Sequence, residues 1–293
     1  MTRNASTRPY HQRFGPHLLL LLMLLGLAPV LAARPLVLGV HPYLDPNELA
    51  RRFQPLANYL ADRLGQPVTL RIGESYEKHI DAVGRGAVDI GFLGPASYVS
   101  LVRRYGGQHL LARLEVGGEP TFHGRIVTRH DSGLQQLSDL AGKTFAFGSP
   151  ASTMGHLVPR YLLLRAGIGL ENLAGYRFYG SHEDVAMAVL AGDADAGAVK
   201  EEIAAKFRSR GLTTLATTPA LSEHLFVARG GLPAGLVARI RDALLALDRQ
   251  HPETAAVLSA IKPGATALVP VDDADYAELR GILAALDTTP ATR

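Results

Sequence analysis

The sequence predicts an α/β protein built as two similar lobes, and two observations carry that prediction. Apolar strand patterns alternate with helical patterns along nearly the whole chain. One unit is also written twice. Residues 36–94 run from the apolar strand Leu36-Val37-Leu38-Gly39-Val40 to Gly86-Ala87-Val88-Asp89-Ile90-Gly91. Residues 143–199 run from Lys143-Thr144-Phe145-Ala146-Phe147 to Gly192-Asp193-Ala194-Asp195-Ala196-Gly197, with an almost equal gap between. Two α/β units in one chain suggest two lobes facing each other across a ligand cleft.

The elements follow in order. Asp45-Pro46-Asn47-Glu48 opens the first helix, with Asp45 as cap, Pro46 at the first helical position and Glu48 completing a capping box. Leu49, Phe53, Leu56, Leu60 and Leu64 recur at helical spacing, Pro55 should kink or divide the helix, and Gly65 stops it. A strand over 68–72, a short helix from Tyr76 capped by Ser75, a buried strand over 88–93 and a helix from Pro95 complete the first unit. Phe122 to Arg129 reads as a strand leading into the Asp139-Leu140-Ala141-Gly142-Lys143 turn. The second unit then runs through strand 143–147, helix 153–166, strand 176–179, helix 182–191, strand 194–199, helix 200–210 and strand 213–217. Leu225 to Arg229 is strand-like, and three helices, 233–249, 252–261 and 272–286, finish the chain. The second unit ends near residue 224. The economical reading returns the chain to the first lobe, with segments near 122–127 and 224–229 as a two-stranded hinge. The expected division is a leader over 1–33, a first lobe from 34–122 plus 229–293, and a second lobe from 123–228.

The first 33 residues have the order of a secretory signal: Arg3, Arg8 and Arg13, an apolar run from Leu18 to Leu27, then Val30-Leu31-Ala32-Ala33, with cleavage expected near Ala32-Ala33. The run is short for a membrane span, and the absence of cysteine after it excludes a lipid-anchored mature form. The chain carries 30 Lys and Arg against 27 Asp and Glu, so removing the three leader arginines balances the charges. Nothing then points to a nucleic-acid partner. With no cysteine, disulfides, thiol catalysis and cysteine metal sites are excluded. About 260 residues remain, enough for one large or two medium domains.

The sharpest local signal is Gly148-Ser149-Pro150-Ala151-Ser152-Thr153-Met154-Gly155, which follows a strand and opens a helix. Free N–H groups and the dipole make a helix start an anion site, and hydroxyls add donors without charge. N-capping accounts for Ser152 or Thr153 equally well. The first lobe has a counterpart in Leu93-Gly94-Pro95-Ala96-Ser97-Tyr98. Two such starts aimed at one cleft make an anion clamp, to which Tyr43 and Tyr98 add phenolic donors. His182, between a strand and a helix, can donate to an anionic oxygen. No histidine pair has a firm metal-ligand spacing. No Gly-x-Ser-x-Gly elbow, Walker loop or His-Glu-x-x-His is present, so an enzyme, with Ser152 and His182 as nucleophile and base acting on a phosphate ester, is the disfavoured class.

At this level the chain resembles the periplasmic substrate-binding proteins of phosphonate, phosphite and phosphate ABC transporters, over roughly residues 36–285. The resemblance rests on "FQPLANYLADRLG" (53–65), "GAVDIGFLGPASYV" (86–99), "LSDLAGKTFAFGSPASTMG" (137–155) and "GSHEDVAMAVLAGDADAGAV" (180–199). It implies a two-lobed type II periplasmic-binding-protein fold with two crossover hinge strands, no catalytic activity, no cofactor or metal, and a monomer. It implies a small anionic ligand and an ABC permease in the inner membrane as partners; some relatives instead hand their ligand-bound state to a sensor histidine kinase. By resemblance, Ser152, Thr153 and Gly155 wrap a phosphorus oxyanion, Ser97 and Tyr98 face it from the other lobe, and Tyr43 and His182 contact it. Met154 stands where the family usually has a second serine, placing a thioether at the pocket wall. Aminoalkylphosphonate binders hold the ligand amine with carboxylates; one of these matches the Lys200-Glu201-Glu202 stretch, with Glu201 as the candidate, and the other matches Ser222-Glu223-His224, which lacks the usual Pro-x-Asp-Pro pattern. The expected ligand is therefore a small oxyanion or a phosphonate without an amine.

Overall fold

A computed structural model describes residues 1–2 and 34–288. The expected leader and its cleavage site lie outside the described residues, apart from the first two. From Pro35 onward the chain forms one compact unit, organised around two sheets.

The first sheet has the order β13-β4-β12-β3-β1-β2. It comprises β1 (Leu36–Val40), β2 (Val68–Ile72), β3 (Ile90–Leu93), β4 (His109–Val116), β12 (Leu225–Ala228) and β13 (Ala265–Val269). β1 pairs in parallel with β2 and β3, whereas β12 runs antiparallel between β3 and β4. The second sheet has the order β10-β6-β9-β7-β8. It comprises β6 (Gly124–Arg129), β7 (Thr144–Phe147), β8 (Gly175–Phe178), β9 (Ala196–Lys200) and β10 (Leu212–Thr217). β7 is parallel to β8 and β9, and β6 is antiparallel to β9. Each lobe thus receives one returning strand, antiparallel beside its third parallel strand.

The hinge is the pair β5 (Thr121–Phe122) and β11 (Leu221–Ser222). It lies a few residues before the segments expected from sequence. Leu225–Ala228, expected in the second lobe, is a central strand of the first sheet, because its four residues are fully buried and find their apolar partners there.

Helices cover these sheets. α1 (Pro46–Leu64) is unbroken by Pro55. Its buried stripe of Leu49, Phe53, Leu56, Leu60 and Leu64 holds it against the sheet, and the carbonyl that proline leaves unpaired belongs to the exposed Arg51. Asp45 caps Asn47 and Glu48, but Glu48 pairs with Arg51 and Arg52 instead of closing a capping box. α2 (Tyr76–Gly84) and α3 (Pro95–Tyr105) follow in the first lobe. α4 (Val158–Arg165), α5 (His182–Ala191) and α6 (Glu201–Phe207) belong to the second. α7 (Ala234–Leu245) and α8 (Pro252–Ile261) pack on α1, as expected for helices padding the first lobe. α9 (Ala277–Asp287) touches both α3 and α4. β4 and β13 are strands that the sequence pattern did not predict. Their charged and small residues, such as Arg113, Glu115 and Thr266, are half-buried, so alternation is weak.

The repeated Gly-x-x-Asp-x-Gly segment does the same work in both lobes. Gly86 and Gly192 end a helix at positive φ, 76° and 84°. Asp89 accepts from Val37 N at 2.9 Å, and Asp195 accepts from Thr144 N at 2.8 Å. Each carboxylate pins the start of the strand that opens its repeat. The last glycine lets a helix close on the sheet: a side chain at Gly91 would meet Val83 at 2.8 Å, and one at Gly197 would meet Val185 at 2.7 Å.

Candidate functional site

The topology sends chosen residues to one edge of each sheet. β1 and β3 are parallel, so His41 and Gly94 leave the same edge. β12 is antiparallel to β3, with Leu225 opposite Leu93, so His224 arrives there too. In the second sheet the same edge carries the ends of β7, β8 and β9, hence residues 148–155, His182 and Lys200–Glu202. Ligands of open α/β sheets bind at such carboxyl edges.

The helix start of the second lobe differs from expectation. Residues Thr153–Leu157 form a π-turn before α4. Leu157 N bonds Ser152 O at 3.0 Å, five residues back. Pro159 has no N–H to offer Gly155 O, which accepts Gly148 N instead, at 2.7 Å. That bond folds the loop back on itself, so Gly148 and Gly155 approach closely. A side chain at Gly155 would meet Ser152 Oγ at 2.8 Å and His182 at 3.1 Å. Such turns concentrate at functional sites. Ser152 Oγ accepts from Gly155 N at 3.0 Å, and its hydroxyl meets Tyr76 of the first lobe.

The two helix starts touch. Thr153 Oγ1 accepts the Ala96 N–H at 3.0 Å across the lobes and keeps its own O–H to donate. Around this contact stand buried polar atoms without a partner in the protein: both ring nitrogens of His41, Ser97 Oγ and His182 Nδ1. His41 stacks on Tyr43, ring centroids 4.8 Å apart, and lies 5.3 Å from His224. Burial pushes the His41 pKa well down, with His224 adding to it. Burial and Lys200 take His182 down to about 3, and burial and Lys200 take His224 to about 4. These rings are therefore neutral near pH 7.

A cavity of about 850 Å³ opens beside these groups and is lined from both lobes and the hinge, among others by Tyr43, Phe122, His182, Lys200, Glu223 and Lys262. Glu223 is fully buried. Burial alone raises its pKa, but His224 and Lys262 hold it below the usual carboxylate range. His224 Nδ1 donates to it at 2.6 Å, and Lys262 forms its second ion pair. A second cavity, about 710 Å³, borders Tyr76, Ser97 and Ala151 and shares none of its described lining residues with the first.

The structure brings together Tyr43, Ser152, Thr153, Gly155 and His182, with Ser97 on the facing helix start. Three residues sit differently. Tyr98 turns away: its hydroxyl donates to Asp273 at 2.6 Å and its ring packs on Tyr276. Neighbours on a helix point about 100° apart, so Ser97 and Tyr98 do not serve one site. Met154, expected on the pocket wall, is buried in the apolar cluster with Phe122, Val158 and Leu221, its sulfur 3.6 Å from Thr218 Oγ1. Its apolar chain finds better company at the hinge than in a polar cleft. Glu201 reaches the cavity wall, but its carboxylate accepts His123 N at 3.1 Å and faces Arg125 at 3.4 Å. His41, Tyr76, Lys200 and His224 were not among the expected site residues. The available signal was their place just past or before a strand end. Among the described residues no cluster of three His, Asp or Glu is placed to hold a metal.

Two lobes on a two-stranded hinge, with helix starts meeting over a buried polar cluster, define a protein of the type II periplasmic-binding fold. A model of the periplasmic substrate-binding proteins of phosphonate ABC transporters matches residues 38–276, and the chain belongs to that family. It is 28% identical to the phosphate-import protein PhnD of Mycolicibacterium smegmatis over 174 residues, 55% of this chain and 54% of that protein, so it spans about half the length of that relative. It is 25% identical to a probable phosphite-binding protein, PhnD1, of Prochlorococcus marinus over 236 residues, 74% of this chain and 79% of the relative. The solved structure of Prochlorococcus marinus PhnD1 with methylphosphonate superposes with a TM-score of 0.78 at 22% identity, covering 87% of this chain and 98% of that one.

Proposed function

We propose that this chain is an exported receptor that closes on a phosphorus oxyanion and delivers it to an ABC permease. The observation that carries this reading is the convergence of buried polar groups without a partner on the contact between the helix starts: the His41 ring and the Ser97 hydroxyl, which can donate, beside the Thr153 hydroxyl, while the neutral His182, its N–H given to the Ala198 carbonyl, borders them with an accepting Nδ1. Buried polar groups almost always have partners. A tetrahedral anion supplies several acceptors at once, and helix starts favour negative charge. The ligand is phosphonate, phosphite or phosphate. Export rests on the leader pattern, with removal near Ala32-Ala33, and the permease rests on the family. Binding, not turnover, is the expected activity.

Calorimetry against phosphate, phosphite, methylphosphonate, aminoethylphosphonate, sulfate, arsenite and arsenate tests this. Binding of at least one phosphorus anion, with sulfate weaker, is expected. Binding of none of the panel overturns the ligand class. Hydrolysis of a generic phosphomonoester that Ser152→Ala abolishes would replace the receptor reading with an enzyme.

A further inference from the structure

Lys200 ends β9 and lines the large cavity with its side chain buried, 8% exposed. Its ammonium lies over two aromatic faces, 5.1 Å from the Tyr43 centroid and 5.7 Å from that of Phe122. Among the described residues no carboxylate comes within ion-pair distance of it. The acidic groups nearby already have basic partners. Glu223 holds Lys262 and His224. Glu202 lies 3.8 Å from Lys262, Glu183 pairs with Lys206 at 2.7 Å, and Glu201 faces Arg125. Glu119 stands on the exposed rim. The other lining cations, Arg52 and Lys206, are paired as well.

A buried ammonium without an ion-pair partner is costly, and ring faces and the more distant Glu202 and Glu223 return only part of its lost hydration. Burial lowers its pKa, against the pull of Glu202. The cavity exceeds what a bare oxyanion fills: at about 850 Å³ it falls in the range of roughly 300–1,000 Å³ typical of sites for ligands with a carbon body. His182 belongs both to the helix-start cluster, beside Gly155, and to the cavity wall that holds Lys200. His182 thus places the helix-start cluster at the border of the cavity that holds the ammonium.

Resting on the receptor reading above, we propose that the ligand is a phosphorus oxyanion bearing a second anionic group on a short arm, a carboxylate or a second phosphoryl group, with Lys200 as the residue that selects it. The phosphorus oxygens meet the helix starts, the arm lies along Tyr43 and Phe122, and the second anion meets the Lys200 ammonium. The same charge disfavours an amine at that position.

Calorimetry on the full chain with ethylphosphonate, phosphonoacetate, 3-phosphonopropionate, methylenediphosphonate and 2-aminoethylphosphonate tests this. The expected result is at least tenfold tighter binding of a carboxylated compound or the diphosphonate than of ethylphosphonate, with 2-aminoethylphosphonate weakest. Which of the two acidic arms wins identifies the second group. In Lys200→Met the ratio of acidic-arm to ethylphosphonate affinity collapses toward one, and in Lys200→Glu the order reverses toward the amine. Equal wild-type affinity for ethylphosphonate and the acidic-arm compounds overturns this inference and leaves the receptor reading standing. Equal loss of all phosphorus ligands in Lys200→Met also overturns it, placing Lys200 on the phosphorus oxygens. Binding of no phosphorus compound overturns the receptor reading itself. The wild-type panel decides even if a variant fails to fold.

Discussion

The two lobes agree where the chain is repeated and differ where it meets the cleft. In each, an aspartate in the repeated segment pins the strand that opens the repeat: Asp89 N–H donates to Val37 O at 3.0 Å while its carboxylate takes Val37 N, and Asp195 does the same with Thr144, at 3.1 Å. The helix starts do not match. The first lobe enters α3 directly through Gly94 and Pro95 with no side-chain cap. The second uses a longer loop, a π-turn and the hydroxyls of Ser152 and Thr153. The duplicated part builds the lobes, and the unduplicated part builds the candidate site. A sequence repeat therefore locates the architecture more reliably than it locates the site.

The largest expected effect is acid sensitivity, to which both lobes contribute. Burial depresses the pKa of His41, His79 and His224 in the first lobe and of His156 and His182 in the second; His79 and His224 fall to about 4 and His182 to about 3. Below pH ~6.5 the unfolded chain binds protons that the folded chain refuses. Stability is then full above that pH and falls as pH drops toward 4, by about 1.4 kcal/mol per pH unit for each histidine that stays neutral. The depressed carboxyls of Glu202 and Glu223 lose their contribution only below the ordinary glutamate range, so the two windows separate. Urea midpoints should be flat from pH 8 to 7 and decline steadily from 6.5 to 5. A flat profile to pH 5 would mean that the rings are hydrated.

The aspartates come next. Asp89 is fully buried and also paired with Arg229, its Oδ1 2.8 Å from Nε. Asp195 is half-buried and takes the Thr144 hydroxyl instead. Asp89→Ala should cost about 3–5 kcal/mol, as for breaking a buried pair. Asp195→Ala should cost about 1.5–3 kcal/mol, as for a charge-assisted hydrogen bond. Equal losses in denaturant unfolding would erase this difference between the lobes.

Met154→Ala probes the hinge side of the second helix start. Removing a buried methionine costs about 2–5 kcal/mol. Because the side chain packs with Phe122 and Leu221 rather than in either cavity, the ratio of phosphate to methylphosphonate affinity should not change. A shifted ratio would return Met154 to the pocket wall. Thr153→Ala should lower affinity at least tenfold, since a hydrogen bond to a charged ligand is worth about 1.5–3 kcal/mol. Its stability cost, from the Ala96 N–H left without its acceptor, should be about 1–3 kcal/mol. A loss of stability without a loss of affinity would make Thr153 a structural link between lobes only.

Much of this arrangement was legible in the chain because its signals are local. The strand-to-helix turns at Gly94 and Ser152, the capping Ser75 before Tyr76 and the glycines of the repeat act within a few residues of themselves. His41 and His224 were not legible as site residues. They share a site only because β1 lies parallel to β3 and β12 returns antiparallel, pairings made across more than fifty residues. Lys200 was visible as one of three charged neighbours, but its burial depends on Tyr43 and Phe122 from distant segments. The strands β4 and β13 escaped because their half-buried charged and small residues blur the alternation that marks a strand.

The smallest effect on stability, and the sharpest test of the comparison, belongs to Ser97. Its hydroxyl is 2% exposed as a residue and has no partner in the protein. A buried donor without an acceptor destabilises by its lost hydration, so removing it is nearly neutral or stabilising. Ser97→Ala should therefore leave the unfolding midpoint unchanged or slightly raised. Ser152, by contrast, caps Gly155 N, and its alanine variant should lose about 1 kcal/mol. If Ser97 donates to the bound anion, the same Ser97→Ala change weakens phosphorus-anion binding severalfold while the free protein gains. Opposite signs in calorimetry and unfolding would show that the first lobe's plain helix start, though it lacks the capping hydroxyls of the second, contributes a ligand contact of its own. A loss of stability without a loss of affinity would mean that Ser97 only packs α3, and that the second lobe alone supplies side-chain donors at the helix starts.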